Sequence, residues 1–279
     1  QPITDPVDLP ALLDPSQKAA PSSVAPEQKV LSGTLYSGAA TVQGTAGYAA
    51  RKIHDATGAG SLANGFGPLG ATGLTVSRLG VGTYRVRQRE AEHREALLKA
   101  IRSGCNLIDT STNYMDGESE QVVGSVLQQL IRAGEVAREE IIVVSKIGYV
   151  QGQNLAQAKT REKSGKPYPD MVKYGDDIWH CIHPEFLADQ LTLSLDRLGL
   201  ATLDVCLLHN PEYFLSHATR LGASEQRELS TLRDEFYARL QLAFEYCERQ
   251  VEAGRLGMAF RPIRPRPLRM SPAPRPCLA

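Results

Sequence analysis

Ile141-Ile142-Val143-Val144-Ser145-Lys146 is an apolar, β-branched run that ends on a serine and a lysine. Branching at Cβ stiffens such side chains and favours a strand, and the lack of polar alternation means burial on both faces. Strands of that kind belong to parallel sheets covered by helices, so helices are expected on either side. Upstream, Val122, Val123, Val126, Leu127, Leu130 and Ile131 stand at helical spacing within 118–133, ahead of Gly134. Before them, Asn106-Leu107-Ile108-Asp109 reads as a short buried strand. Residues 90–103 read as a helix, with Ala91, Leu97, Leu98 and Ile101 on one stripe and Gly104 at the C-cap position. Leu74 to Val81, with glycines at 70, 73, 80 and 82, predicts a hairpin leading into a first strand. Downstream of a long polar excursion, 149–182, come a helix from Pro184 to Leu198, a strand from Leu203 to Leu208 and a long helix at 234–253.

Strand and helix thus alternate four times, which predicts an α/β fold with a parallel sheet. A doubly wound sheet would carry a glycine-rich phosphate loop between a strand and a helix. The one candidate, Gly58-Ala59-Gly60-Ser61-Leu62-Ala63, follows no apolar strand and opens no helix. The remaining architecture is a TIM-type (βα) barrel, whose chemistry sits at the C-terminal ends of its strands.

Each of three strands delivers a titratable residue there. Asp109 ends the second, Lys146 the third and His209 the fourth, and Tyr114 follows five residues beyond Asp109. Singly, each has a structural explanation: a turn cap, a snorkelling lysine, a core histidine, a packed loop tyrosine. Their shared rim favours chemistry instead. A phenol, with a pKa of about 10, is a poor proton donor at neutral pH unless a cation stabilises the phenolate. Lys146 can supply that cation, Asp109 can hold it in place, and His209 can orient a carbonyl oxygen or share its proton. Such a set protonates an alkoxide as it forms, one half of a carbonyl reduction. No side chain supplies the hydride for the other half, so a nicotinamide cofactor is implied.

The order Asp109, Tyr114, Lys146, His209, in the settings IDTSTNY, VVSKIG and LLHNP, resembles the catalytic tetrad of the aldo-keto reductases. GLTVSRLGVGTYRV resembles the first strand of that family, and GESEQVVGSVL its second helix. The resemblance implies an eight-stranded barrel that binds NADPH (NADP+), less often NADH, and reduces an aldehyde or ketone or oxidises a sugar or alcohol. It implies that Tyr114 donates the proton, that Lys146 and Asp109 tune it, and that His209 orients the substrate. Thr83, Tyr84, Asp109 and Asn210 match positions lining the cofactor and substrate cleft. From the excursion, Trp179 and His180 are candidate substrate contacts.

The resemblance covers residues 66–254, expected to be the N-terminal part of such a barrel. That span holds about four to five of eight βα units, where a complete barrel takes ~250 residues. Residues 1–65 are rich in Ala, Ser, Thr, Gly and Pro without a sustained apolar period, and are expected to form a disordered or loosely packed arm. Residues 255–279 hold six arginines, six prolines and no acid, and are expected to form a tail foreign to the fold, with neither strand nor helix. The alternative reading is a non-catalytic truncated or auxiliary form that lacks the cofactor-binding half and self-associates through exposed sheet edges.

The 31 basic and 31 acidic residues cancel, but outside 255–279 there are 25 basic against 31 acidic. An acidic body argues against nucleic acid or an anionic membrane as partner. No run approaches the ~18 apolar residues of a membrane-spanning helix. The five cysteines lack CxxC spacing and predict reduced thiols, with no disulfide frame or metal site. No signal peptide is visible, which points to the cytoplasm, with an organelle such as a plastid left open.

Overall fold

The computed structural model describes residues 35–55, 62, 64–222 and 226–258. Its elements in chain order are α1 (Val42–Asp55), β1 (Phe66–Pro68), β2 (Thr75–Ser77), β3 (Val81–Gly82), α2 (Ala91–Arg102), β4 (Leu107–Asp109) and α3 (Glu118–Arg132). Then follow β5 (Ile142–Ile147), β6 (Tyr149–Val150), α4 (Gly152–Lys163), β7 (Trp179–His180), α5 (Pro184–Leu198), β8 (Leu203–Leu208), α6 (Tyr213–Arg220), α7 (Gln226–Glu252) and β9 (Leu256–Met258).

A five-stranded sheet in the order β3-β4-β5-β8-β9 organises them, and every pairing in it is parallel. The strands of this sheet lie side by side in the order in which they occur in the chain, with α2, α3, α5 and α7 leading into the next strand and β6, α4 and β7 inserted between β5 and α5. This is an α/β fold whose five parallel strands among the described residues have the sequential order of a (βα) barrel.

Alternation along β5 explains how one strand serves two faces. Val143 and Ile147 join the main core, where Val122, Val123, Val126, Leu127 and Leu130 of α3 meet Phe186, Leu187, Leu191 and Leu195 of α5. Ile142 and Val144 point the other way, into a second cluster with Leu107 of β4 and with Leu74 and Val76. Val76 belongs to β2, which pairs antiparallel with β1, so the predicted hairpin covers the lower part of that face. Lys146 and Asp109 continue the Ile142 and Leu107 rows, so both lie on this second face at the strand ends.

The helix ends follow their caps. Pro184 occupies the first turn of α5 and Gly199 closes it in the left-handed region at φ 68°. Gly124 of α3 permits a close approach, because a Cβ there would lie 2.5 Å from the Arg197 carbonyl oxygen.

Two expectations are corrected. The loose arm predicted for 1–65 is, over 42–55, the helix α1. Its Tyr48 is fully buried in the main core and donates its hydroxyl to the Ile101 carbonyl. Arg51 forks onto Glu140 at 2.7 and 2.8 Å. Only Thr45, Tyr48 and Ala49 of α1 are buried, so one tyrosine anchors a helix that shows no apolar period. Residues 1–34, 56–61 and 63 lie outside the described residues.

The second correction concerns 255–279, predicted to hold no strand. Leu256–Met258 forms β9, paired with β8 through Leu203↔Leu256 and Val205↔Met258. Gly254, at φ 72°, ends α7 and turns the chain back, and Leu256 is buried. The prolines begin at 262, beyond the described residues, so their missing N–H groups do not bear on this strand. Among the described residues no helix is long and apolar enough to cross a membrane.

Candidate active site

β4, β5 and β8 lie side by side, so their C-terminal ends bring Asp109, Lys146 and His209 to one rim. Tyr114 reaches it from a 3-10 turn, Tyr114–Gly117, in which Met115 and Asp116 adopt left-handed φ angles of 49° and 57°. Non-glycine residues pay for that conformation in steric energy, and such strain persists where the surroundings hold it. The Asp116 carboxylate is tied by the Gln153 N–H, which donates to Oδ1 at 3.0 Å. The start of α4 therefore braces the turn that carries the phenol.

Lys146 is the centre of the group. Its Nζ donates to Asp109 Oδ1 at 2.5 Å, to the Thr110 carbonyl at 2.9 Å and to Tyr114 Oη at 3.0 Å. An ammonium has three N–H donors, so each is used and the nitrogen is held in one place. The lysine is largely buried, with 14% of its side chain exposed, while Asp109 keeps 41%. The ammonium also lies 4.7 Å from the centre of the Tyr114 ring.

His209 stands edge-on to Tyr114 with ring centres 5.9 Å apart. Its Nδ1 lies 3.0 Å from Ser111 Oγ. Burial, then the Lys146 ammonium and His180, lower its pKa to about 4, so the ring is neutral at neutral pH. Tyr149 packs edge-on to the same imidazole at 4.5 Å and edge-on to Tyr213 at 5.3 Å. Burial and the Tyr213 phenol push the Tyr149 phenol up, which leaves it protonated.

The other predicted residues divide. Tyr84 is exposed and meets Tyr114 edge-on at 5.1 Å. Asn210 follows His209 at a left-handed φ of 50°, and its side-chain amide has no hydrogen-bond partner among the described residues. Thr83 is fully buried, and both its N–H and its hydroxyl donate to the Asp109 carbonyl. It therefore supports the strand end.

Trp179 and His180 form β7, which pairs with β6 at the start of the excursion. Both are buried, and the ammonium groups of Lys159 and Lys173 stand over the Trp179 ring at 5.7 and 4.6 Å from its centre. His180 Nε2 lies 2.6 Å from the His209 carbonyl oxygen and its ring stacks on Tyr213. No described contact joins either residue to the Tyr114 phenol. Burial lowers the His180 pKa to about 4 as well.

Ser111, Asn113 and Gln151 were not singled out in the sequence, yet they form a hydrogen-bonded line that ends on His209, and Tyr213, also not singled out, packs on Tyr149 and His180. Their only sequence signal was a polar run, Thr110 to Asn113, on a rim where Asp109 already mattered. Among the described residues no group of three His, Cys, Asp or Glu side chains could hold a metal ion, and Cys105, Cys181, Cys206 and Cys247 are free.

The sequence model of the Aldo/keto reductase family matches residues 78–256. The chain is 32% identical over 151 residues to the NADH-specific methylglyoxal reductase of Escherichia coli (strain K12), an alignment covering 51% of this chain and 40% of that protein. It is also 32% identical over 156 residues to 2,5-diketo-D-gluconic acid reductase B of Corynebacterium sp. (strain SHS752001), covering 55% and 42%. The chain thus spans about two-fifths of the length of these curated relatives. A solved aldo-keto reductase from Bacillus halodurans, in its holo form, is similar over 68% of this chain and 47% of its own, at 20% identity and a TM-score of 0.46. With more than half of its length matched by the family, the chain belongs to the aldo/keto reductases.

Proposed function

We propose that this chain carries the proton-transfer centre of a nicotinamide-dependent oxidoreductase acting on small carbonyl compounds or sugars. The observation that supports it is the single ammonium of Lys146 bonded to both the Asp109 carboxylate and the Tyr114 phenol. In reduction, negative charge grows on the substrate oxygen, and Tyr114 gives it the hydroxyl proton. The phenolate left behind keeps the Lys146 N–H bond, which is stronger to an anion than to a neutral phenol. Asp109 keeps the ammonium in line and balances its charge. Tyr149, with its phenol pushed up by burial, is a wall of the site and not a second acid. The relatives named for methylglyoxal and 2,5-diketo-D-gluconic acid support a small carbonyl substrate.

The residues present fit the nicotinamide end of NADPH (NADP+). The exposed Tyr84 ring and the unpartnered Asn210 amide would hold it beside Asp109 and Tyr114. When bound, that cofactor supplies the hydride. Residues beyond the described span would have to supply much of the remaining grip, which is where the second reading arises. Among the described residues β3 and β9 each have a single neighbour in the sheet, which favours association through those edges in an auxiliary form.

Titrating the purified chain with NADPH, following cofactor fluorescence, and then adding methylglyoxal tests the proposal. Saturable binding and NADPH oxidation that Tyr114→Phe abolishes would support it. Absence of binding, with the chain sedimenting as an oligomer, would favour the auxiliary form.

A further inference from the structure

Two ties fasten the turn that carries Tyr114 to the start of α4. Asn113 Nδ2 donates to Gln151 Oε1 at 3.0 Å, and the Gln153 N–H donates to Asp116 Oδ1 at 3.0 Å. Between them the backbone is strained, with Met115 and Asp116 at φ 49° and 57°. Two successive non-glycine residues in that region persist only where their surroundings hold them.

α4 needs the carboxylate in return. The first N–H groups of a helix have no partner inside it, and a negative charge beside them is favourable. Gln151, the N-cap of α4, makes no side-chain cap, and the first turn holds no acid. Asp116 therefore caps α4 from outside it. Gly152 makes room for this. It takes a left-handed φ of 52°, and a Cβ there would collide with Asp116 Oδ1 and lie 2.7 Å from the carboxyl carbon. α4 is itself a fixed reference. Val150, just ahead of it in β6, is fully buried. Asn154, in its first turn, exchanges two amide hydrogen bonds with Gln190 of α5 at 2.9 and 3.1 Å, and both side chains are buried.

We propose that Asp116 is a positioning residue for the Tyr114 phenol: α4 grips its carboxylate, and that grip keeps the strained turn closed and the phenol on the Lys146 ammonium. The phenol oxygen lies 3.0 Å from Lys146 Nζ. An outward swing of the turn by about 0.5 Å carries that contact beyond the ordinary hydrogen-bond range. The excursion 149–182 thereby acquires a task, because its first helix sets the place of the proton donor. The effect on rate rests on the oxidoreductase reading above; the effect on the position of the ring does not.

Through-space cross-peaks in NMR spectra of the full chain, with labelled tyrosine and histidine rings, read the position of Tyr114 without turnover. Tyr114→Phe assigns its ring by loss of signal. In the wild type that ring should show contacts to the Tyr84 and His209 rings, whose centres lie 5.1 and 5.9 Å away. Asp116→Gly removes the carboxylate and puts at this position a residue at ease with positive φ, so its effect comes from the missing grip and not from added strain. It should weaken both sets of cross-peaks and speed exchange of the Gln153 amide. Asp116→Asn keeps an acceptor oxygen and tolerates the left-handed region, so it should retain them. Gly152→Ala acts from the other side, pressing its Cβ on the carboxylate. It should displace the Tyr114 ring as well, and in the Asp116→Gly background it should add nothing at Tyr114.

In NADPH oxidation with methylglyoxal, Asp116→Gly should lower kcat by up to about 10²-fold with little change in KM, and Asp116→Asn should restore it. Tyr114 cross-peaks unchanged in Asp116→Gly overturn the proposal, as does a Gly152→Ala displacement that survives in the double variant. If Asp116→Gly does not fold, Gly152→Ala decides alone, and a Tyr114 ring that keeps its wild-type contacts overturns the proposal. A fully active Tyr114→Phe would sink the enzyme reading, while these spectra would still decide whether α4 holds the turn.

Discussion

The ammonium of Lys146 stands 3.0 Å from the phenol oxygen of Tyr114 and donates its other two protons to Asp109 and to the Thr110 carbonyl. A lysine with no spare N–H cannot rotate toward solvent without breaking two other bonds. The phenol is therefore matched to a cation placed before any substrate arrives, which is what electrostatic preorganisation requires.

Removing either end of that contact should be costly to turnover and mild for folding. Tyr114→Phe deletes the proton donor, and Lys146→Met deletes the cation while keeping a stem of similar volume. Proton transfer by a positioned group is worth about 10² to 10⁴ in rate. Steady-state NADPH oxidation with methylglyoxal should fall by that range for both variants. A Tyr114→Phe chain as active as wild type would remove Tyr114 from the chemistry.

The sheet and the meeting of Asp109, Tyr114, Lys146 and His209 at one rim were legible because their signals are local. β5 and β8 are short apolar runs, and Asp109, Lys146 and His209 each stand at the end of one. α1 was not legible, since Tyr48 is its one large buried side chain and its other buried residues are the small Thr45 and Ala49. β9 was hidden because Leu256-Gly257-Met258 is too short to show a pattern and runs into an arginine- and proline-rich stretch. The Ser111 contact joins residues 98 apart, and no periodicity reports on such a pair.

Acid should weaken the fold through His180 and His209. Both have pKa values lowered to about 4 in the folded chain, against 6.5 for an unperturbed histidine. The unfolded chain therefore takes up these protons first as the pH falls. Their contribution to stability is complete above about 6.5 and is lost as the pH drops toward 4, at about 1.4 kcal/mol per pH unit for each histidine. Urea midpoints measured between pH 7 and 4.5 should fall more steeply for wild type than for His180→Gln, whose lost slope is that of one histidine. Parallel slopes would mean that His180 is protonated in the folded chain.

Gly148→Ala should disturb the site from below. A Cβ at this position would lie 2.5 Å from the His209 carbonyl oxygen and 2.7 Å from His180 Nε2, the two atoms that bond each other. Neither can retreat without breaking that bond, so a loss of about 1–3 kcal/mol is expected from overpacking. Gly47→Ala is the control: nothing lies within 4 Å of its Cβ, and within α1 alanine should stabilise by about 0.5–1 kcal/mol. Thermal midpoints of the two variants should move in opposite directions. A Gly148→Ala midpoint equal to wild type would show that the β6 end is more pliable than these distances allow.

Arg138 and Asp204 form a buried pair at 2.8 Å, with 5% and 2% of their side chains exposed. Asp204 also accepts from the Ala40 N–H at 2.6 Å and the Val143 N–H at 2.8 Å, so one carboxylate ties β8, β5 and the segment ahead of α1. Burial raises its pKa, and Arg138 opposes that shift. Arg138→Met leaves the carboxylate charged and without its cation, and breaking a buried pair in this way costs about 3–5 kcal/mol. The cost should shrink as the pH is lowered, because without Arg138 the buried Asp204 takes up a proton more readily in the folded chain than in the unfolded one. Urea midpoints of wild type and Arg138→Met should therefore differ most near neutral pH and converge in mild acid. A gap that is independent of pH would assign the loss to packing of the arginine stem and not to the stranded charge.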